Sequence, residues 1–182
     1  LALKILGLPA DSEIIVPCHS YIASWLAPLN LGFKLIVAPV RKDNFLIDIS
    51  KLEVLLSPNT KCILPVHLYG NSCDMFNLEI FAKKHGLFLI DDAAQAHGVF
   101  LKNRSIGSYG HMTCFSFYPT KNLGALGEAG GISTNSKKYA KSLRSLRNYG
   151  RSSEHGYLNT YQGMNSRGDE IQAAMLNSKL KD

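Results

Sequence analysis

The chain has 182 residues, of which 46% are hydrophobic and 19% are charged, and this composition is that of a globular domain rather than a disordered or collagen-like protein. Its net charge of +6 would suit a nucleic-acid partner, but the basic residues are scattered and no DNA- or RNA-binding motif occurs. No apolar run reaches the length that crosses a bilayer.

Strand and helix patterns alternate along the chain, and glycines at 7, 32 and 86 are stop signals for three of the helical stretches. In chain order the predicted elements are helix 1–6, strand 13–17, helix 21–31, strand 33–40, helix 48–56, strand 61–66, helix 75–85, strand 87–90, strand 112–118, strand 131–134, helix 136–147 and an amphipathic stretch from residue 169. This alternation predicts an α/β fold with a mostly parallel sheet and helices on both faces.

Two segments carry the chemistry. The run LIDDAAQAHG at 89–98 brings Asp92 to the end of a buried strand, where open α/β sheets bind ligands. The apolar run that starts at Met112 stops at Pro119 and is followed by Lys121 and a glycine-rich loop. A lysine in a partly dry pocket can act as an amine nucleophile, and a carboxylate keeps a pyridinium nitrogen protonated. This pair is what proteins contribute to pyridoxal phosphate chemistry.

Each residue also has an ordinary structural interpretation. An aspartate at a strand end is commonly a helix cap or a turn former, and a single lysine is usually a solvated surface charge. The two residues in combination, one after each of two apolar strands, favour the functional interpretation.

Five motifs along the chain resemble the DegT/DnrJ/EryC1/StrS family of nucleotide-sugar aminotransferases that depend on pyridoxal phosphate. They are PVHLYG at 65–70, DDAAQAHG at 91–98, SFYPTKNLGALGE at 116–128, LRNYG at 146–150 and NSR at 165–167. The resemblance covers nearly the whole chain in family order. It implies the large domain of the fold type I transferases that use pyridoxal phosphate.

The resemblance also implies site residues. Lys121 matches the lysine that forms the internal aldimine and moves the proton, and Asp92 matches the carboxylate on the pyridinium nitrogen. The other matched positions are Gln95 near the cofactor's ring hydroxyl, Ser116 on its phosphate, Tyr21 stacked on its ring, and Asn165 reaching the phosphate from the neighbouring subunit. The implied working unit is therefore a homodimer.

Family members are about twice as long as this chain and carry a second, smaller carboxyl-terminal domain. The chain begins at Leu1, within a helical pattern, and stops at Asp182, just after the last amphipathic stretch. We therefore expect residues 1–182 to be a partial large domain that lacks an amino-terminal segment and the small domain.

The implied activity is transfer of an amino group from glutamate to a keto-deoxysugar nucleotide. The stretch YIASWLA at 21–27 resembles members that aminate dTDP-3-keto-6-deoxyhexoses. Relatives that dehydrate sugars carry histidine where this chain has Lys121. The alternative is a catalytically silent fragment or pseudoenzyme that retains only a binding or dimerisation surface. A nucleotide-binding Rossmann module is a weaker alternative, because no GxGxxG follows the first strand.

The cysteines and histidines indicate no further chemistry. Four cysteines are widely separated without a CxxC pair, and the histidines lack short ligand spacing with a carboxylate, so we expect neither disulfides nor a metal site. Cys62 and Cys114 lie in predicted strands, so we expect them to be buried, reduced thiols in a protein of the reducing cytoplasm. His67 and His97 are interpreted as packing groups beside the site.

Overall fold

Six strands form one sheet in the computed structural model, which describes residues 1–152 and 156–181. The strands are β1 (Glu13–Pro17), β2 (Lys34–Ala38), β3 (Thr60–Ile63), β4 (Phe88–Asp92), β7 (Met112–Ser116) and β8 (Gly130–Ser133), with β5 (Phe100–Leu101) and β6 (Arg104–Ser105) as a separate small hairpin. The sheet order is β2-β1-β3-β4-β7-β8. Every neighbouring pair is parallel except β7 with β8, which confirms the mostly parallel sheet.

Helices cover the sheet. They are α1 (Ala2–Ile5), α2 (Ala23–Leu29), α3 (Met75–His85), α4 (Lys137–Leu146) and α5 (Glu170–Lys179). α2 packs on β1 and β2, α3 packs on β4, and α1 contacts α4. Three consecutive β1 residues, Ile14, Ile15 and Val16, are fully buried. Because successive strand residues point to opposite faces, both faces of the sheet are covered at this strand.

Local signals explain the helix ends. Asp74 caps α3 by accepting a hydrogen bond from the Asn77 backbone N–H at 3.2 Å, and Gly86 ends the helix at a φ of 64°. Ser136 caps α4 in the same way through the Tyr139 N–H. These caps agree with the predicted boundaries of both helices.

Two predicted segments differ from the structure in type or by more than two residues at one end. The helix predicted over 48–56 is instead a pair of 3₁₀ turns, Ile49–Lys51 and Glu53–Leu55. The Asp48 carboxylate accepts from both the Ser50 N–H and hydroxyl, which closes a tight turn at the start of the segment. The strand predicted over 61–66 ends at Ile63, because Pro65 has no N–H to continue the ladder.

None of the helices within residues 1–152 and 156–181 is both long and apolar enough to span a membrane.

Ile63 belongs to the hydrophobic core and is fully buried in β3 between Ile15 of β1 and Leu89 of β4. Ile63→Ala should lower the free energy of unfolding by about 2–5 kcal/mol, because it leaves a cavity that the paired strands cannot close. Ile80 on α3 is 53% exposed, so Ile80→Ala is the matched control and should cost less than about 1 kcal/mol. Urea unfolding measures both, and equal losses would contradict the placement of the core.

Candidate functional site

A cavity of about 630 Å³ opens at the carboxyl ends of β1, β3, β4 and β7. The loops that follow these strands supply its lining, as expected for an open parallel sheet. The lining side chains that carry polar groups are Ser20, Tyr21, His67, Asp92, Gln95, Ser116, Tyr118, Thr120, Lys121 and Glu128. Five of the six predicted site residues therefore meet in one place.

Asp92 is held by its backbone and by its side chain. Its N–H donates to the Pro65 carbonyl at 2.9 Å and its carbonyl accepts from the His67 N–H at 2.9 Å. Its Oδ2 accepts from the Ser24 hydroxyl at 2.7 Å, and its Oδ1 accepts from the Ala94 N–H at 3.1 Å. The carboxylate thus reaches the cavity in a fixed orientation, with lone pairs left for a ligand.

Lys121 lies in the turn that follows β7 and is half-buried at the cavity. Its N–H donates to the Tyr118 carbonyl at 2.8 Å. A Cβ at Gly124 would collide with the Pro119 carbonyl oxygen, so the loop can fold this tightly only with glycine there. The Ala125 N–H then donates back to the Phe117 carbonyl at 2.8 Å. The loop therefore folds back on the residue that follows β7, beside the turn that carries Lys121.

Helix α5 holds the same loop from outside. The Gln172 Oε1 accepts from the backbone N–H groups of Leu126 and Gly127 at 2.8 and 3.0 Å. The Lys179 ammonium donates to the Gly124 carbonyl at 2.6 Å. Three hydrogen bonds thus fix the loop next to Lys121.

Gln95, Ser116 and Tyr21 complete the predicted set around the cavity. The Gln95 Oε1 accepts from the Tyr69 N–H at 2.8 Å, which leaves the Gln95 amide NH₂ to donate to a ligand. Ser116 ends β7, and its hydroxyl oxygen lies 3.3 Å from the Tyr118 N–H. Tyr21 is 75% exposed, so its ring is available to a bound group.

Asn165 is the one predicted residue that does not line the cavity. It is exposed and pairs with Asn148 in an isolated antiparallel bridge. Arg167 donates to the Asn148 side chain at 2.8 Å and fixes this bridge. Asn165 therefore belongs to another surface of the same chain.

Sequence reasoning omitted several cavity residues, notably Ser20, Thr120 and Glu128. Thr120 and Glu128 stand inside the motif at 116–128 and could have been found there. Ser20 and Ser24 flank Tyr21 in the sequence, but no local pattern shows that the Ser24 hydroxyl meets a carboxylate 68 residues away.

His67 and His97 carry neutral rings beside the site. Burial lowers the pKa of His67 to about 4, and its Nδ1 accepts from the Cys73 N–H at 3.0 Å. Burial also lowers the pKa of His97, whose ring packs between Phe115 and Phe117. Within the described part of the chain, no group of three or more acidic, histidine or cysteine side chains could hold a metal ion.

Asp91 points away from Asp92 into the protein interior. It is fully buried, and its Oδ2 accepts from the Thr113 hydroxyl at 3.0 Å while its Oδ1 has no hydrogen-bond partner among the described residues. Burial raises the pKa of Asp91 to about 7, and the Glu79 charge adds to the rise. The two adjacent aspartates therefore have different environments.

We expect Asp91 to make stability fall with rising pH. The folded state keeps its proton up to about pH 7, whereas the unfolded chain releases it near about pH 4, so the free energy of unfolding declines between these values. Asparagine cannot ionise, so this decline should be absent in Asp91→Asn. Between pH 5 and pH 8, the free energy of unfolding of the variant should therefore rise by more than about 1 kcal/mol relative to that of the wild type. Urea unfolding at both pH values measures the difference. The contribution of His67 to the pH dependence is the same in both proteins and cancels in the comparison. A difference in the free energy of unfolding that stays constant between the two pH values would contradict the raised pKa of Asp91.

A family profile described as the DegT/DnrJ/EryC1/StrS aminotransferase family matches residues 1–182. Among curated proteins, a dTDP-3-amino-3,4,6-trideoxy-alpha-D-glucose transaminase of Streptomyces venezuelae is 44% identical over 180 residues, which cover 99% of this chain and 47% of that protein. The chain thus spans about half the length of the curated relatives it matches.

Solved structures show the same fold. S. venezuelae DesV, solved in complex with a ketimine intermediate, matches with a TM-score of 0.93 and 45% identity over 99% of this chain and 48% of that chain. NtdA of Bacillus subtilis, solved with bound cofactor PMP, matches with a TM-score of 0.88 and 35% identity over 98% of this chain and 40% of that chain.

Proposed function

Because the chain belongs to the DegT/DnrJ/EryC1/StrS aminotransferase family, we propose that its protein transfers an amino group from an amino acid to a keto sugar carried on a nucleotide. The family depends on pyridoxal phosphate. The observation that carries the proposal is the presence of the Asp92 carboxylate and the Lys121 amine in the lining of one cavity.

The residues of the cavity fit this cofactor. A protonated ring nitrogen needs an acceptor, and Asp92 offers a carboxylate that its neighbours hold in place. An aldehyde carbon needs a primary amine, which Lys121 supplies, and phosphate and ring hydroxyl groups need donors, which Ser116 and Gln95 supply. The volume of about 630 Å³ also lies in the usual range of small-molecule sites, about 300–1,000 Å³.

When bound, pyridoxal phosphate supplies the electron sink for the reaction. Lys121 is proposed to hold the cofactor through its amine and, once released, to move the proton at the substrate carbon. Asp92 keeps a negative charge against the ring nitrogen. Tyr21 offers an aromatic face for stacking, as its exposed ring allows. The loop bonds to Gln172 and Lys179 keep the Lys121 backbone in position for both of its roles.

The proposed acceptor is a dTDP-3-keto-6-deoxyhexose and the proposed donor is glutamate. Support for the sugar comes from the 44% identity to the S. venezuelae transaminase, whose name specifies a dTDP-linked 3-amino sugar. Further support comes from the stretch at 21–27, which resembles members that aminate such sugars and contributes Tyr21 to the cavity lining. The formal charge of +6 would favour approach of an anionic sugar nucleotide.

The proposed assembly is a cytoplasmic homodimer. Asn165 is exposed and lies outside its own cavity, which is the arrangement required if it serves the cofactor of the neighbouring subunit. Because the relatives are about twice as long, we also propose that residues 1–182 form part of a large domain and that the remainder supplies an amino-terminal segment and a small carboxyl-terminal domain.

The test begins with pyridoxal phosphate binding to the full-length protein that contains these residues. Reduction with borohydride should fix a pyridoxyl group on Lys121, and peptide mass spectrometry should locate it there. A panel of dTDP-linked 3-keto and 4-keto sugars with glutamate then reports the position that is aminated. If no pyridoxyl group is attached, the chain is a silent relative and the proposed function is wrong.

A further inference from the structure

The Ser24 side chain makes a buried contact with Asp92, and Ser24 itself has so far been given no functional role. Ser24 is the second residue of α2 and only 4% exposed. Its hydroxyl lies 2.7 Å from Asp92 Oδ2 and 2.7 Å from the Ser20 hydroxyl. Ser20 in turn lines the cavity. Two hydroxyls thus connect the cavity wall to the carboxylate.

The direction of this chain of hydrogen bonds follows from the number of protons. Ser24 has one hydroxyl proton, and the carboxylate can only accept, so that proton lies on the bond to Asp92. Ser24 must then accept from Ser20. Each donor in such a chain strengthens the next one, so Ser20 makes Ser24 a better donor to Asp92.

Among the described residues, the Ser24 hydroxyl forms hydrogen bonds with Asp92 and Ser20 and with no backbone group of α2. The N-cap of α2 is Ile22, and the Ser24 N–H donates to the Tyr21 carbonyl at 3.1 Å. The hydroxyl therefore serves the carboxylate rather than the helix.

Asp92 receives one donor on each oxygen. The Ala94 N–H approaches Oδ1 at 3.1 Å and Ser24 approaches Oδ2. Two donors on different oxygens fix the rotation of the carboxylate about its Cβ–Cγ bond, which is otherwise a broad torsion. Without Ser24, the bond from Ala94 is the one that remains within the described part of the chain, and the carboxylate can turn.

We propose that Ser24 is a positioning residue that orients Asp92 toward the ring nitrogen of the bound cofactor, and that Ser20 supports it. The inference rests on the proposed function, in which the cavity takes pyridoxal phosphate. Its effect is preorganisation: the apoprotein already holds the carboxylate in the orientation that binding requires.

The experiment measures the dissociation constant of pyridoxal phosphate for the full-length protein and its variants. Ser24→Ala should weaken binding about tenfold, because it removes a hydrogen bond to a charged group. Ser24→Cys fills the site with a slightly larger side chain that is only a weak donor and should weaken binding in the same direction, so the test remains possible if the alanine variant does not fold. Ser20→Ala should weaken binding less, about twofold to threefold.

The control for burial is Ser12, which is fully buried just before β1, at the opposite end of the strand from the cavity. Ser12→Ala should leave the dissociation constant unchanged. A double-mutant cycle separates positioning from packing, because Ser24→Ala should change binding less than twofold when Asp92 is already alanine. A tenfold loss in that background as well, or wild-type affinity in both Ser24 variants, would overturn the proposal.

The two levels of failure can be told apart. If wild-type protein attaches no pyridoxyl group at Lys121, the proposed function fails. If the wild type attaches it and the Ser24 variants bind pyridoxal phosphate like the wild type, the proposed function stands and only the role of Ser24 is wrong.

Discussion

Lys121→Ala is expected to abolish covalent pyridoxal attachment and to lower the transamination rate by about 10⁴-fold or more, because the variant lacks both the amine that holds the cofactor and the group that moves the proton. Lys121 lies in a surface loop at the cavity and its backbone bond to Tyr118 is retained, so the fold should persist. Borohydride reduction with mass spectrometry, a coupled glutamate assay and circular dichroism measure the three quantities.

The matched control is Lys83→Ala, on the exposed surface of α3 and outside the cavity lining. This variant should keep the pyridoxyl label at Lys121 and nearly full activity. A label that is still attached in Lys121→Ala would assign the attachment to another lysine and would show that the motif match is misplaced.

Asp92→Asn is expected to keep the pyridoxyl label but lower the turnover number by about 10²–10³-fold, the size of loss seen when a preorganised electrostatic partner is removed. The asparagine has nearly the same shape, and its amide oxygen can still accept from Ser24 or Ala94. What changes is the charge that faces the ring nitrogen. Single-turnover kinetics with glutamate alone tests whether the loss lies in this half of the reaction.

Asp11→Asn offers the control for charge, since Asp11 is exposed before β1, at the end of the strand away from the cavity. It should leave turnover unchanged. Turnover of Asp92→Asn within a few-fold of the wild type would mean that another group partners the ring nitrogen. The Lys121 and Asp92 variants therefore divide the proposed site into an attachment function and an electrostatic function.

The parts of the fold that local sequence determines are predictable. Asp74 and Gly86 bound α3 as expected because a cap and a stop act within a few residues. The antiparallel β8 could also have been expected, because the 13 residues between β7 and β8 contain no crossover helix. The 3₁₀ turns after Asp48 were missed because apolar spacing over nine residues does not separate them from an α-helix.

The site likewise contains residues whose positions the sequence predicts and a contact that depends on tertiary packing. Asp92 ends one apolar strand and Lys121 lies in the turn that follows another, so the strand pattern of the sequence brings them to the same edge of the sheet. The contact between Ser24 and Asp92 depends on how α2 packs across the sheet, and a serine within a helical pattern has no distinguishing signal. Long-range hydrogen bonds of this type become visible only with the tertiary structure.

The hydrogen bonds from α5 to the lysine loop set a minimum for any truncated version of this protein. The acceptor for the amides of Leu126 and Gly127 is Gln172, and the donor to Gly124 is Lys179, some 45 to 55 residues later in the chain. A polypeptide that stops after α4 would leave these backbone groups to solvent and the loop without its anchor. A segment that keeps all three hydrogen bonds between α5 and the lysine loop therefore extends at least through residue 179.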